Sequence, residues 1–272
     1  MNLVSCDWLL KNLKDVKIID ASWHLPSTKR DGFQEFQKGH IPNSIFFDLD
    51  ELSDKDTDLP HMLSNAETWA KNISKLGIKN SDKIIIYDDS EVLSSCRCWY
   101  SFIYYGHDPK YVKVLDGGLH KWKKEGKPIS QEVIYLEETN YQAIEKSKMV
   151  KNKSEIDLNI NENKFLLIDA RSKERFEGKV PDPRKNVRGG SIPNSRCLPY
   201  NKIIKSDKTF KNVDELRKIF KQAIPDNNRN LVFSCGSGVS ACILALAYSL
   251  VDNTYVPTIY DGSWAEYGRI SY

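Results

Sequence analysis

Leu231-Val232-Phe233-Ser234-Cys235-Gly236-Ser237-Gly238-Val239-Ser240-Ala241 reads as a strand, a tight loop and the start of a helix. The residues before Cys235 show no polar alternation, as in a strand covered on both faces. From Ala241 to Val251 the chain is apolar almost all round, which predicts a buried helix. Between them Cys235 is followed by glycine at Gly236 and Gly238. A strand–loop–helix unit of this kind can turn successive backbone N–H groups toward one point, and the helix start adds partial positive charge. A thiolate at that focus would be stabilised, so Cys235 is the candidate nucleophile. The glycines suit that role because a Cβ would obstruct either a positive φ or the approach of a substrate. The plainer alternative is a buried structural cysteine, but such a residue has no use for a Gly-x-Gly after it.

The same unit has an echo earlier in the chain. Ile18-Ile19-Asp20-Ala21, Ile41-Pro42-Asn43-Ser44, Ile84-Ile85-Ile86-Tyr87 and Asp116-Gly117-Gly118 recur as Leu167-Ile168-Asp169-Ala170, Ile192-Pro193-Asn194-Ser195, Leu231-Val232-Phe233-Ser234 and Asp261-Gly262-Ser263-Trp264. The order is kept and the offsets run only from 145 to 151 residues. Two copies of one domain are expected. In each, short β-branched runs alternate with helical patterns, such as Asn65–Leu76 and Val213–Phe220, so the fold class is α/β with a mostly parallel sheet flanked by helices. Ligands in such sheets gather beyond the carboxyl ends of the strands. The boundaries expected are 1–135 for the first domain, 136–147 for a polar linker and 148–272 for the second.

Length agrees, since 272 residues suit two domains of about 100–150 each. Lys and Arg number 40 against 37 Asp and Glu, so a net charge of +3 calls for neither nucleic acid nor a membrane surface. No apolar run approaches the roughly 18 residues of a membrane span, and the start lacks the zones of a secretory signal. The six cysteines therefore read as free thiols in the cytoplasm. Cys96-x-Cys98 lacks the second pair that a zinc site needs, so no metal is expected. Cys242, two turns into the helix, reads as core or at most as a resolving thiol. Trp8, Trp69, Trp99 and Trp122 read as core aromatics, and no phosphate-binding glycine loop of the nucleotide kind is present.

The loop from Cys235 to Ala241 on a duplicated domain resembles the tandem rhodanese family, and within it the branch that uses 3-mercaptopyruvate. The likeness extends to Asp20-Ala21-Ser22-Trp23-His24-Leu25-Pro26, His40-Ile41-Pro42, His61-Met62-Leu63 and Tyr260-Asp261-Gly262-Ser263-Trp264. The resemblance implies two rhodanese-like domains, of which the first is non-catalytic. Its echo of Cys235 is Asp88. Activity would be a sulfurtransferase reaction through a Cys235 persulfide, releasing pyruvate, with no cofactor. The acceptor would be cyanide, a small thiol or a thioredoxin-like thiol. Members that use thiosulfate follow the cysteine with two cations; here Gly236 and Ser237 are neutral, which suits a monoanion.

The resemblance also implies the site residues. Arg175 and Arg184, nine residues apart, would hold the substrate carboxylate and ketone through planar charged forks. Gly236, Gly238, Val239 and Ser240 of the loop would also bind the substrate. Ser237, His61 and Asp50 would form a proton relay, because the leaving enolate and the substrate thiol both need protons managed. Arg171 and Arg188 are nearby competitors read as structural or surface residues. The turn Arg188-Gly189-Gly190-Ser191 and Ser240 depart from the family pattern. Three rivals are kept: a thiosulfate sulfurtransferase, a non-catalytic sulfur carrier, and a rhodanese-fold phosphatase. The last needs an arginine six positions after the cysteine, where this chain has Ala241.

Overall fold

The computed structural model describes residues 2–224 and 230–270. It divides into two compact units. In the first, strands β1 (Leu3–Val4), β2 (Lys17–Asp20), β3 (Ser44–Phe46), β4 (Ile84–Tyr87) and β5 (Val112–Leu115) form one sheet in the order β1-β5-β4-β2-β3. In the second, β6 (Val150–Lys151), β7 (Phe165–Asp169), β8 (Arg196–Cys197), β9 (Asn230–Ser234) and β10 (Ile259–Tyr260) repeat that arrangement as β6-β10-β9-β7-β8. All of these pairings are parallel. Inner strands are covered on both faces: every residue of β4 and β7 is buried, and all of β9 but its first residue. Their unbroken apolar runs record that double covering.

The echo in the sequence has a physical counterpart bond by bond. The amide of Ala21 donates to Tyr87 O as that of Ala170 does to Ser234 O. Asn43 and Asn194 take left-handed φ values of 64° and 62°, a conformation asparagine tolerates better than most residues. In each Ile-Pro-Asn-Ser turn the serine hydroxyl closes back on the isoleucine carbonyl, Ser44 on Ile41 and Ser195 on Ile192.

Helices cover the sheets where periodicity predicts them. Ala66–Lys75 is capped by Asn65 and buries Trp69 and Ile73. Val213–Ala223 begins with a capping box of Asn212 and Glu215 and buries Leu216 and Phe220. Ala241–Val251 follows the cysteine loop, and Ile243, Leu244 and Leu246 have no exposed surface. Each such side chain contributes roughly 1.5–3 kcal/mol by burial, which anchors the loop ahead of it. Trp69, Trp99 and Trp122 are core residues. Trp8 corrects the expectation for it: the helix Cys6–Lys11 buries Cys6 and Leu9, leaving the indole 37% exposed beneath Lys113 Nζ. Among the described residues no helix is long and apolar enough to cross a membrane.

The compact units do not follow the chain in simple succession. The first comprises Met1–Asp54, Leu63–Lys146 and Ser206–Phe210; the second comprises Lys55–Met62, Ser147–Lys205 and Lys211–Tyr272. Each thus includes a short segment from the other half of the chain. The stretch expected as a linker counts with the first unit as far as Lys146. Hydrogen bonds from Tyr141 N to Ser74 Oγ and from Ile144 N to Tyr105 O hold it there.

Candidate active site

Cys235 directly follows β9 and is 1% exposed. Four hydrogen bonds lace its loop to the turn after β10. Trp264 N donates to Cys235 O at 3.0 Å and Ala265 N to Gly236 O at 2.8 Å. The amides of Cys235 and Gly238 both donate to Ser263 Oγ, at 3.1 and 3.2 Å, and that hydroxyl donates in turn to Tyr260 O. Two of the successive loop amides expected to turn toward one point are thus held by Ser263. The amides of Gly236, Ser237, Val239 and Ser240 have no acceptor among the described residues. The two glycines serve the two reasons anticipated for them. Gly238 has φ +76°, and a Cβ on Gly236 would stand 3.0 Å from Arg184 Nη2 and 3.5 Å from Arg175 Nη2. Val239 and Ser240 complete the turn into the helix, whose Cys242 donates its thiol proton to Gly238 O.

Both candidate arginines therefore reach over the loop beside the cysteine. Ser172 caps the short helix that carries Arg175, and the chain then turns through Asp182-Pro183 to Arg184. Asp182 braces the pair: one carboxylate oxygen accepts from Arg175 Nη2 at 2.7 Å and the other from Arg184 Nη1 at 3.0 Å. Burial alone would push the Asp182 carboxyl up. The hydrogen bonds from Arg175 and the Arg184 amide, with both guanidinium charges, outweigh that and hold it below its ordinary value. Arg175 Nε is buried without a partner, an open donor that an anion could take. Arg171 is structural: it is buried, holds Asp169 through two guanidinium nitrogens and packs 4.5 Å from the Trp264 ring. Arg188 lies over the same ring at 4.7 Å.

His61 joins the second unit on the Lys55–Met62 segment, and its Nδ1 shares a hydrogen bond of 2.9 Å with Ser237 Oγ. It is buried, with φ +61°. Four residues later Asn65 caps a helix, just as Asn212 does four residues after Lys208. Lys208 has φ +63° and donates to Ser90 O, two residues past Asp88, as Ser237 is two past Cys235. His61 and Lys208 are equivalent positions on the two exchanged segments. Asp50 counts with the first unit, where it accepts the indole N–H of Trp23 at 2.9 Å. The structure thus assembles Cys235, Ser237, His61, Arg175 and Arg184 in one unit.

In the first unit, Asp88 fills its own loop. Its two carboxylate oxygens accept from the amides of Ser90 and Ser95, at 3.0 and 2.7 Å. Burial pushes the Asp88 carboxyl above its ordinary value, against those hydrogen bonds and the charge of Lys208. Where the second copy carries a thiol, the first has a side chain that already occupies two amides.

Ser263 and Asp182 are functional positions that sequence reasoning passed over. The echo carried a signal for Ser263: it stands at φ +50° where the first copy has Gly118 at φ +55°. A residue with a Cβ in that conformation is strained, and its hydroxyl is the compensation. Ser263→Ala strands two buried amides at roughly 1–3 kcal/mol each, so a fall in Tm of about 5–10 °C is expected. Ser263→Gly loses the same hydroxyl but relieves the backbone, so its fall in thermal unfolding should be smaller. Equal Tm for wild type and Ser263→Ala would show that the hydroxyl does not hold the loop.

The Rhodanese-like domain model matches the chain twice, over residues 5–125 and 152–269. Thiosulfate/3-mercaptopyruvate sulfurtransferase 1, mitochondrial, of Arabidopsis thaliana is 40% identical over 97% of this chain and 75% of its own. The 3-mercaptopyruvate sulfurtransferase of Mus musculus is 36% identical over 97% of this chain and 91% of its own. Among solved structures, the 3-mercaptopyruvate sulfotransferase SseA of Escherichia coli superposes with a TM-score of 0.87 at 32% identity, covering 97% of this chain and 99% of that one.

Proposed function

Since the chain belongs to the rhodanese family, as a tandem-domain member related to the 3-mercaptopyruvate sulfurtransferases, we propose that it moves sulfur from 3-mercaptopyruvate to a thiol or cyanide through a persulfide on Cys235. The observation that carries this reading is the pair of guanidinium groups braced by Asp182 over Gly236, next to the cysteine. Arg175 and Arg184 take the carboxylate and ketone oxygens of the donor. The Cys235 thiolate attacks the donor sulfur, the carbon–sulfur bond breaks, and its electron pair leaves on the enolate of pyruvate. Ser237 and His61 carry a proton to the enolate carbon, with Asp50 kept as a proposed third member. The unpartnered amides of Gly236, Ser237, Val239 and Ser240 favour negative charge on the outer sulfur. The acceptor thiolate or cyanide then attacks that sulfur and regenerates Cys235.

Residence in the cytoplasm and a thioredoxin-like physiological acceptor belong to the same proposal, and cell fractionation and acceptor assays test them. Thiosulfate, which appears in the name of the Arabidopsis relative, is the competing donor. Neutral Gly236 and Ser237 favour the monoanion over that dianion, so pyruvate release from 3-mercaptopyruvate should exceed thiocyanate formation from thiosulfate. The direct test is the intact mass of the protein after 3-mercaptopyruvate without acceptor. One added sulfur atom on the Cys235 peptide is expected; an unmodified Cys235 peptide after pyruvate has been released would reject the scheme.

A further inference from the structure

A cavity opens beside Arg184 in the catalytic unit. It has a volume of about 390 Å³, and its lining includes Arg184, Lys185, Arg269 and Asp58 together with Pro60 and Ile270. That volume lies in the range of roughly 300–1,000 Å³ typical of small-molecule sites. Its walls tie it to the reacting centre. Pro60 precedes His61, the partner of Ser237, and Ala265, also in the lining, donates its amide to Gly236 O. Three cations face one carboxylate. Asp58 is matched by Arg269, to which it pairs at 3.0 Å, and Arg184 is already braced by Asp182. Lys185 is exposed and supplies the unbalanced positive charge.

We infer that this cavity is the acceptor subsite, and that it takes a small thiol carrying a carboxylate. The inference rests on the persulfide reading above. A sulfur acceptor has to approach Cys235 after pyruvate leaves, when Arg184 has lost its donor ligand. A thiol with a short carbon skeleton can pack against Pro60 and Ile270 in the lining. Its carboxylate meets Lys185 and its sulfur is directed past Arg184 toward the loop. Transfer is balanced: the acceptor thiolate attacks the outer sulfur, the S–S bond breaks, and Cys235 leaves as thiolate.

The test uses 3-mercaptopropionate and its neutral amide as acceptors, at matched thiolate concentrations, with enzyme preloaded by 3-mercaptopyruvate. The wild type should transfer sulfur to the carboxylate thiol about tenfold faster than to the amide. Lys185→Glu should abolish that preference while leaving KM for 3-mercaptopyruvate and the rate with the amide unchanged, and Lys185→Arg should retain it. Equal rates for the two thiols in wild type would overturn the subsite. So would a Lys185→Glu variant that keeps the preference, or one that shifts KM for the donor. Failure of the wild type to load sulfur onto Cys235 would instead reject the underlying reading, so the two failures are distinguishable.

Discussion

Cys235→Ser is expected to release pyruvate from 3-mercaptopyruvate at least about a thousandfold more slowly than the wild type, because removing a covalent nucleophile removes the intermediate itself. A hydroxyl is close in size to a thiol, so Ser263, Trp264 and Ala265 can still lace the loop through the same backbone atoms. Thermal unfolding of the variant should accordingly stay near that of the wild type, separating lost chemistry from lost fold. Incubation with the donor should add no sulfur to any peptide. Cys6 and Cys197 are poor substitutes: burial pushes their thiols up to about 11. Pyruvate release at the wild-type rate would end the case for residue 235 as nucleophile.

The second large effect concerns the arginine pair. Arg175→Lys combined with Arg184→Lys keeps both charges but replaces two planar forks with point charges, which cannot meet Asp182 on one side and an anion on the other. Each lost charge-assisted hydrogen bond is worth about 1.5–3 kcal/mol, so with one lost at each arginine kcat/KM for 3-mercaptopyruvate should fall by roughly 10²–10⁴. Asp182→Asn should reproduce part of that loss, mainly in KM, because the guanidinium groups keep their charge and lose their brace. The depressed carboxyl of Asp182 adds a pH signature. The brace is intact above the ordinary carboxylate range and lost as pH falls through the lowered value, so wild-type KM should hold steady through mildly acid pH. A double lysine variant with unaltered kcat/KM would remove both arginines from the donor site.

How far these features could be read beforehand depends on the range of the interactions that make them. Cys235, Gly236 and Gly238 were legible because a buried strand, a loop and a buried helix are local patterns. The duplication was legible because turns such as Ile-Pro-Asn-Ser reuse one backbone conformation. Arg175 and Arg184 came through resemblance alone, since nothing local distinguishes them from Arg171 or Arg188. Asp182 and Ser263 went unnoticed for another reason. Their value lies in partners such as Arg175 and Cys235, the latter 28 residues away, and a short polar side chain gives no sign of which distant amide it will meet. Trp8 was misread because a short amphipathic helix leaves its orientation undecided by one residue.

The exchanged segments have a consequence for the ancestry and dissection of the molecule. Two copies that trade equivalent short segments, one bringing His61 and the other Lys208, have the pattern left when a swapped dimer is fused head to tail. Cleaving the gene at residue 147 would produce two fragments, each missing a piece that only its sibling encodes. A copy without a nucleophile is therefore not free to drift out of existence, because deleting it would take residues 55–62 away from its partner.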